Sequence, residues 1–335
     1  MKFTVKDIAT AANVSPATVS NALNNRKGVS EEVKQLVLKV AKEMGYAKET
    51  FMDRDALRFV VFKRHGYVVS DTPFFLSLIE GIEKQSRAFG YELLISHANI
   101  KDADFKEVIN SINTDFSSGI IVLATEMLSE DLELFRNIRV PVVLVDNCFR
   151  ENIFDSVLIN NTDAAYTATG FLIGSGHKNV GYLHSSVYIN NFRFRKLGYL
   201  SAMEDYGLKA DDRYELYLEP TMDGAYRDMK HLLESTDLNL PAAFFADNDI
   251  IAFGAMKAML EKGITIPDDV SIIGFDDMPF CEMTNPRLTT VKVFKQDIGS
   301  IAVKRLMQKI NGDEKIIQKT EVATELVIRD SHKKL

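Results

Sequence analysis

The sequence predicts a small all-α head that contains a helix-turn-helix, followed by an α/β body of two parallel-sheet subdomains. Two observations predict this fold class. Capping residues and apolar spacing indicate three short helices within the first 46 residues, and from about residue 57 short apolar runs alternate with amphipathic helices. The length of 335 residues is enough for two or three domains, each with its own hydrophobic core.

The three helices of the head each begin at a capping residue. Thr4 forms the start of a capping box with the aspartate three residues later, and this first helix extends to about Ala12. Ser15 caps a second helix that has proline at its first position and runs to about Asn24. Ser30 caps a third helix, whose apolar residues recur at helical spacing. A tight turn joins the first two helices, which together form a helix-turn-helix.

The outward face of the second helix carries small hydroxyl-bearing, amide-bearing and apolar residues: Ser15, Pro16, Ala17, Thr18, Ser20, Asn21 and Asn24. Such a face allows a helix to enter the major groove of DNA, although the solvated side of an ordinary helical bundle has the same character. The charge distribution favours DNA. Residues 1–50 contain eight basic and five acidic side chains, a balance of +3, whereas the remaining residues carry −10 of the total of −7.

The body repeats the order strand, helix, strand twice. Because parallel strands need crossover connections, this order predicts two parallel sheets with right-handed crossovers. Strands are predicted at Phe59–Phe62, Glu92–Ile95, Gly119–Leu123, Pro141–Val145, Val180–Leu183, Tyr214–Leu218, Ala242–Phe245, Ser271–Phe275 and Thr324–Ile328. Helices are predicted between them, among them one near Glu130–Arg136, and a last helix is predicted near Gln296–Ile310.

Aromatic, amide and charged residues follow the predicted strands, at the sheet edge where open α/β sheets bind ligands. They are Phe74, Phe75, Thr125, Asp146, Asn147, Asn191 to Arg195, and Asp249. Flat faces combined with hydrogen-bonding groups suit a polyhydroxylated ligand. Each residue also has a plainer interpretation: Asp249 as a helix cap, Asp146 as the end of a strand, and the two phenylalanines as core.

The head closely resembles the DNA-binding head of the lactose-repressor (LacI/GalR) family. The resemblance is carried by Thr4–Ala9, Ala12–Ser15, Ala17–Asn24, Val29-Ser30 and Gly45-Tyr46, in order and spacing. Further landmarks lie in the body at Gly176-His177, Arg195–Tyr199, Asn248-Asp249, Ile266–Ser271, Gly274–Asp277 and Leu288–Thr290. The resemblance therefore covers nearly the whole chain and implies a periplasmic-binding-protein-like body.

The resemblance also implies a domain division. The DNA-binding head would occupy residues 1–46, a linker or degenerate hinge 47–57, and the effector-binding and dimerisation domain 58–335. Within that domain, an N-subdomain would comprise about 58–160 and 291–315, and a C-subdomain about 161–290 and 316–330.

For DNA, the resemblance assigns base reading to Pro16, Ala17 and Asn21. Asparagine can pair with adenine, and the other two offer apolar contacts to a thymine methyl group. Contacts to the DNA backbone are implied for Thr4, Ser15, Thr18, Ser20 and Asn24, with Arg26 and Lys27 adding attraction that is independent of sequence. The linker lacks the proline of the family's hinge helix, so Leu57 is a candidate minor-groove wedge but also fits the first core residue of a strand, which we favour.

For the effector, the resemblance makes Arg195 and Asp249 the anchors. Lys295 stands where some members of the family carry a pocket aromatic, and Arg193 is an extra cation that would suit an acidic or phosphorylated sugar. Other pocket positions are implied at Phe74, Phe75, Asp146, Asn147, Asn160, Asn191 and Thr221.

The function expected from the resemblance is a repressor in the bacterial cytoplasm, associated with the nucleoid. It would bind operator DNA as a homodimer, and a sugar or sugar derivative in the interdomain cleft would modulate its affinity. The alternative is a solute-binding protein of sugar transport, which has the same two-lobed body but is expected to have a signal segment and no basic helical head.

Enzymatic, metal and membrane functions have no support in the sequence. It contains no Gly-x-Ser-x-Gly, His-Glu-x-x-His or Cys-x-x-Cys motif, so no catalytic residue, metal site or cofactor is predicted. Gly174-Ser175-Gly176 follows a helix and precedes a strand, the reverse of a phosphate-binding loop. The apolar runs are too short to span a membrane, and two cysteines suit a reducing compartment.

Overall fold

The computed structural model describes residues 3–23, 29–44, 56–69, 73–114, 117–151, 153–235, 239–312 and 316–335. The chain divides into two compact units, Met1–Ala56 with Gly90–Glu92 and Leu57–Phe89 with Leu93–Leu335. Among the described residues, none of the helices has the length and apolar character needed to cross a bilayer.

The head contains the three predicted helices: α1 (Val5–Ala11), α2 (Pro16–Leu23) and α3 (Glu31–Glu43). The backbone N–H of Thr4 donates to the Asp7 carboxylate at 2.7 Å, and the Ser15 hydroxyl accepts from the Thr18 N–H at 3.0 Å. Asn13, in the turn between α1 and α2, has a φ of 53°, a left-handed conformation that asparagine tolerates well. The predicted caps and the predicted tight turn are therefore confirmed.

The core of the head is made of small and β-branched side chains from all three helices. Ile8, Val19, Val37 and Ala41 are fully buried, and Ala22 is nearly so. Small side chains allow the three short helices to approach closely, which brings α2 against both α1 and α3 and leaves its other face outward.

The body consists of two six-stranded sheets with helices packed against them. The first sheet has the order β11-β5-β4-β3-β1-β2 and the second the order β12-β10-β9-β8-β6-β7. The strands are β1 (Ala56–Lys63), β2 (Glu92–Asn99), β3 (Gly119–Leu123), β4 (Val142–Val145), β5 (Asp155–Ile159), β6 (Val180–Ser185), β7 (Glu215–Leu218), β8 (Ala243–Ala246), β9 (Ser271–Asp276), β10 (Thr289–Lys292), β11 (Lys319–Val322) and β12 (Glu325–Val327). The predicted fold class of a helical head and two mostly parallel sheets is thus confirmed.

The helices of the body are α4 (Pro73–Ala88), α5 (Phe105–Asn113), α6 (Asn161–Gly174), α7 (Asn190–Asp205), α8 (Met222–Ser235), α9 (Asp249–Glu261) and α10 (Lys295–Ile310). Helices α4 and α10 pack with their backbones in contact. A Cβ atom on Gly81 would lie 2.1 Å from the Gln296 carbonyl oxygen, and one on Gly299 would lie 2.6 Å from the Leu78 carbonyl oxygen. Glycine at both positions therefore fixes the spacing of two helices that begin beside the cavity described below.

The structure differs from the sequence predictions in four places. Strands β5, β10 and β11 have no predicted counterpart, because these short segments begin with polar residues and lack the continuous apolar run of β3, β4 and β8. The segment predicted as a helix near Glu130–Arg136 is a 3₁₀ helix, Ser129–Phe135. Strand β11 pairs in parallel with β5 of the first sheet, so residues 316–330 do not belong to the second subdomain as one block. Strand β10 extends the second sheet past the predicted boundary at residue 290.

The linker agrees with the interpretation of Leu57 that we favour from the sequence. Leu57 lies in β1, paired with Gly119 of β3, and is fully buried. A side chain in the core of a sheet cannot at the same time enter a DNA groove, so the structure supports the strand interpretation and overturns Leu57 as a wedge. Asn24, Arg26, Lys27 and residues 45–55 lie outside the described residues.

Candidate functional site

A cavity of about 220 Å³ opens where the carboxyl ends of the two sheets face each other. Six of the predicted pocket residues line it: Phe74, Phe75, Asp146, Asn191, Arg195 and Thr221. Both phenylalanines are mostly buried and meet edge to face, with ring centroids 5.0 Å apart. They are therefore core residues of α4 that also form an aromatic side of the cavity.

Asp146 lies just after β4, and both of its side-chain oxygens accept hydrogen bonds from neighbouring residues. The Thr125 hydroxyl donates to its Oδ2 at 2.7 Å, and the Asn191 side chain donates to its Oδ1 at 3.0 Å and to its carbonyl oxygen at 3.1 Å. Burial and the charge of Asp276 raise the pKa of Asp146 to about 6 against the opposing effects of Thr125, Arg195 and Asn191. Because Asn191 belongs to α7 of the second subdomain, these bonds connect the two subdomains.

Arg195 forms the floor of the cavity and is nine-tenths or more buried. Its Nε donates to the Asn161 side-chain oxygen at 2.8 Å, and its Nη1 donates to the Asp247 carbonyl oxygen. The guanidinium lies 3.6 Å from the centroid of the Phe275 ring, which stacks beneath it. These contacts fix the guanidinium plane with little freedom of rotation.

Asp276, at the end of β9, is a cavity residue absent from the predicted set. Its Oδ1 is buried, accepts no hydrogen bond from the described residues, and lies 3.6 Å from Nη2 of Arg195. Burial raises the pKa of Asp276, opposed by the positive charges of Arg195 and Lys295. The Lys295 ammonium donates to the carbonyl oxygens of Asp276 and Asp277, so this residue braces the loop after β9.

Both cavity carboxylates sit on strained backbone. The φ of Asp146 is 65° and that of Asp276 is 112°, in a region that non-glycine residues seldom occupy. Strain of this kind persists where the surrounding structure enforces it, often at a binding site.

Four predicted effector residues do not line the cavity. Asn147 is buried and hydrogen-bonded to the carbonyls of Ala124 and Met127. Asn160 caps α6, where its side chain accepts from the Asp163 N–H at 3.2 Å. These two positions are thus corrected to structural roles.

Arg193 and Asp249 are the other two. Arg193 is exposed on α7 and lies over the Phe194 ring, 4.6 Å from its centroid. The expectation of an acidic or phosphorylated sugar, which depended on Arg193, therefore has no structural support.

Asp249 is fully buried at the start of α9 and is not among the residues that line the cavity. It accepts from the Thr290 hydroxyl at 2.5 Å, the Met278 N–H at 2.8 Å and the Cys281 thiol at 3.1 Å. Burial raises its pKa to about 7, with a further contribution from the charge of Asp276. A Cβ on Gly274 would lie 2.2 Å from its Oδ1, so that close packing requires glycine there. The predicted anchor is instead a buried brace.

The structure adds cavity residues that sequence reasoning missed. Asn248 follows β8, and Asp276 is the last residue of β9, so the strand-end rule that found Asp146 applies to both. Gly66, Tyr67 and Val68 come from the segment after β1, where no local pattern signals a cavity.

On the head, α2 presents a small polar surface. Ser15, Pro16 and Ala17 are exposed, whereas Asn21 and Thr18 are half-buried. The hydroxyls of Ser15 and Thr18 lie 2.8 Å apart and share a hydrogen bond. Of the three predicted base-reading residues, Pro16 and Ala17 are therefore exposed on α2, and Asn21 is half-buried on the same helix.

The predicted backbone contacts include two more residues of the head. The Thr4 hydroxyl is exposed and donates to Asp7 at 2.7 Å, and Ser20 is half-buried. In the described part of the chain, no cluster of three or more histidine, cysteine, aspartate or glutamate residues could hold a metal ion.

Comparison with known proteins gives a consistent result over the whole chain. The lacI family of bacterial regulatory proteins matches residues 4–49, and a periplasmic binding protein-like domain matches residues 169–332. The HTH-type transcriptional repressor PurR of Mannheimia succiniciproducens is 31% identical, and the probable HTH-type transcriptional repressor ExuR of Bacillus subtilis is 30% identical, each match covering 99% of both chains.

Solved structures share the fold. A complex of the transcriptional regulator CelR with cellobiose superposes with a TM-score of 0.75 at 22% identity, covering 98% of this chain and 100% of the other. The lac repressor dimer bound to operator and the anti-inducer ONPF superposes with a TM-score of 0.72 at 21% identity, covering 99% of both chains.

Proposed function

The chain belongs to the lacI family of bacterial regulatory proteins, and from that premise we propose which of its residues read DNA and which bind the effector. The chain is a DNA-binding transcriptional repressor whose operator affinity is modulated by a small molecule. Relatives that match over 99% of their length are transcriptional repressors, so a solute-binding protein of sugar transport is not favoured.

The DNA contact that we propose is made by the exposed side of α2. Pro16, Ala17 and Asn21 read base edges in the major groove, and the nearby hydroxyls contact phosphates. Exposure of Ser15, Pro16 and Ala17 supports this role, because small side chains allow the helix backbone to approach the bases. A homodimer in the cytoplasm presents two such helices to a near-palindromic operator.

The effector in this proposal is a sugar or sugar derivative bound in the cavity. The observation that carries the proposal is that residues of both sheets line one cavity, with Asp146 from the first and Arg195 and Asp276 from the second. A ligand that contacts both sheets favours one relative arrangement of them, and only such a differential interaction can change DNA affinity. The effect is reciprocal: the ligand changes operator affinity by the factor by which the operator changes ligand affinity.

The test is operator binding by the purified full-length chain. Labelled duplexes from the DNA upstream of its own and neighbouring genes are titrated at low and moderate salt. Ribose, cellobiose, glucuronate, glucose 6-phosphate and adenine are screened for a rise in melting temperature and for an effect on DNA binding. A compound that raises the melting temperature should also shift operator affinity. Failure to bind any of these duplexes at low salt would contradict the proposal.

Two matched substitutions separate base reading from phosphate attraction. Asn21→Ala should cost about 1–3 kcal/mol at one operator position and relax preference there. Lys27→Ala should weaken binding to all duplexes about equally and reduce the salt dependence. Equal loss on specific and unrelated DNA for both variants would place base reading elsewhere.

A further inference from the structure

One buried carboxylate binds the backbone of a segment that forms one side of the cavity. Oε2 of Glu126 accepts from the N–H groups of residues 64, 65 and 66 at 2.8, 2.9 and 2.8 Å, and Oε1 accepts from those of residues 68 and 69 at 3.0 and 2.8 Å. Residues 64–69, called the wall segment below, thus fold around a single side chain. Glu126 comes three residues after β3, whereas the wall segment directly follows β1.

The pKa of Glu126 shows which effect dominates at this contact. Burial alone would raise it, but the hydrogen bonds from His65, Gly66 and Val69 lower it to about 2. Glu126 is therefore a carboxylate at every physiological pH, and each of its bonds to the wall segment is charge-assisted. An anion surrounded by backbone N–H groups resembles the nests that hold phosphates, here formed within one chain.

The wall segment lines the cavity with residues that lie outside helices and strands. Gly66, Tyr67 and Val68 line the cavity, and the Tyr67 side chain is 43% exposed. The Tyr67 N–H does not reach Glu126 but donates to Nδ1 of His65 at 3.2 Å. The Tyr67 ring thus stands partly exposed on a backbone that is held by other residues, with the Lys101 ammonium 5.8 Å from its centroid and the His65 ring 5.9 Å away.

We propose that Glu126 is a positioning residue for the effector cavity, and that the wall segment it holds presents Tyr67 as a face on which the ring of the effector stacks. This inference rests on the proposed function of the cavity. Neither residue belongs to the predicted pocket. The contact joins the wall segment to Glu126, the residue next to Thr125. Thr125, next to Glu126, donates to Asp146, so residues 125 and 126 support two sides of the cavity at once.

Side-chain contacts outside the cavity provide a matched control. Arg64 pairs with Asp131 at 2.7 Å and with the exposed Glu130 at 2.8 Å, and Lys101 donates to the His65 carbonyl oxygen at 3.0 Å. The Arg64–Glu130 pair holds the same segment from the solvent side, where a salt bridge contributes little. Loss of Glu130 should therefore leave the wall segment in place.

The first measurement is amide hydrogen exchange of the unmodified chain. The five N–H groups bound to Glu126 should be protected at least about tenfold more than the Tyr67 N–H, which has only the histidine ring as acceptor. Protection of all six amides to the same low degree would overturn the proposal without any variant.

The second measurement compares Glu126→Gln with Glu130→Gln. Glutamine keeps one acceptor oxygen and turns an NH₂ group toward N–H donors, so exchange of the wall segment should accelerate at least about tenfold. Glu130→Gln should leave exchange unchanged.

Glu126→Asp, which keeps the charge but is one methylene shorter, should accelerate exchange as well. This variant is used if the glutamine variant does not fold. Equal acceleration in the wall segment and throughout β4 would mean a general structural role and would overturn the proposal.

The third measurement uses a tryptophan reporter, since the chain contains no tryptophan. Tyr67→Trp places the single tryptophan on the wall segment. Its quenching by acrylamide should rise about threefold or more when Glu126→Gln is added and should not change with Glu130→Gln. Unchanged quenching in both would contradict the assignment.

The last measurement connects the segment to the effector. For whichever compound of the screen changes operator affinity, Tyr67→Ala and Glu126→Gln should raise the concentration of half-maximal effect about tenfold, and Tyr67→Phe, which keeps the ring, less than about threefold. Operator affinity without the compound should stay the same in all variants. If the unmodified chain does not bind operator at all, the proposed function fails, but the exchange results still decide the role of Glu126. If basal affinity is intact and Tyr67→Ala responds normally, the stacking role of Tyr67 is wrong.

Discussion

Two carboxylates face the cavity, and they are partnered in opposite ways. Asp146 follows β4 of the first sheet and accepts hydrogen bonds from Thr125 and Asn191 at both side-chain oxygens. Asp276 is the last residue of β9 in the second sheet, and its buried Oδ1 has no hydrogen-bond partner among the described residues. The two share their position at the carboxyl end of a parallel strand, their burial and their positive φ. They differ in the hydrogen bonds that their side-chain oxygens accept.

The difference indicates that the two carboxylates have different roles in one cavity. Each side-chain oxygen of Asp146 already accepts a hydrogen bond from the protein, so Asp146 acts first as a brace between subdomains. A buried acceptor without a partner carries a free-energy cost of about 1–3 kcal/mol, which a hydrogen-bonding ligand would remove. Asp276 is therefore the carboxylate with an unpartnered side-chain oxygen, and the positive charge of Arg195 offsets part of the free-energy cost of its burial.

The largest expected effect comes from removing Arg195. Arg195→Met should lower the free energy of unfolding by about 3–5 kcal/mol, because it removes the counter-charge that lies 3.6 Å from the buried Asp276 carboxylate and leaves only the charge of Lys295 to oppose its burial. Addition of Asp276→Asn should recover at least about 1 kcal/mol of that loss, since the unpaired charge disappears. Urea unfolding of the three proteins measures this.

The matched control for that cycle is Arg195→Met with Asp146→Asn. Asp146 keeps Thr125 and Asn191 when the arginine is gone, so neutralising it should recover less. Equal recovery by the two asparagine substitutions would mean that Arg195 compensates both carboxylates alike, and the distinction drawn above would fail.

Sequence reasoning could find much of this site but not the difference between its carboxylates. The caps of the head are local, and Thr4 and Ser15 bond as their spacing predicts. The strand-end rule found Asp146 and extends to Asp276. It failed for Asp249, because the residue at the start of a helix can turn inward, and here Thr290 and Met278 from distant segments provide the partners.

The wall segment lay beyond sequence reasoning for a similar reason. Residues 64–69 contain no strand or helix period, and their conformation depends on Glu126, about 60 positions later in the chain. A carboxylate that binds mostly backbone N–H groups, with one contact to the His65 ring, leaves little side-chain pattern to recognise. Strands β5 and β11 likewise depend on distant pairing, β5 with β4 and β11, and β11 with β5.

An intermediate effect is expected at the brace itself. Asp146→Ala should destabilise the body by about 1–3 kcal/mol, because the buried Thr125 hydroxyl and Asn191 amide lose their acceptor. Asp146→Asn should cost less, since its oxygen can accept from Asn191 and its NH₂ group can donate to the Thr125 hydroxyl. Chemical denaturation distinguishes them. Equal losses would show that the charge of Asp146, rather than its hydrogen bonds, stabilises the contact.

The smallest effect, and the sharpest test of that distinction, is the pH dependence of stability. The folded pKa of Asp146 is raised to about 6, so between its ordinary value and pH 6 the native state holds a proton that the unfolded chain has released. The contribution of Asp146 to stability therefore falls as the pH rises from about 4 to 6, by at most about 1.4 kcal/mol per pH unit, and then levels off. Asp146→Asn should remove this component, whereas Asp249→Asn should remove one that extends to about pH 7. Denaturation of the wild type and both variants from pH 4 to 8 measures each component. If Asp146→Asn leaves the slope between pH 4 and 6 unchanged, Asp146 is already ionised throughout that range, and its bonds to Thr125 and Asn191 outweigh its burial.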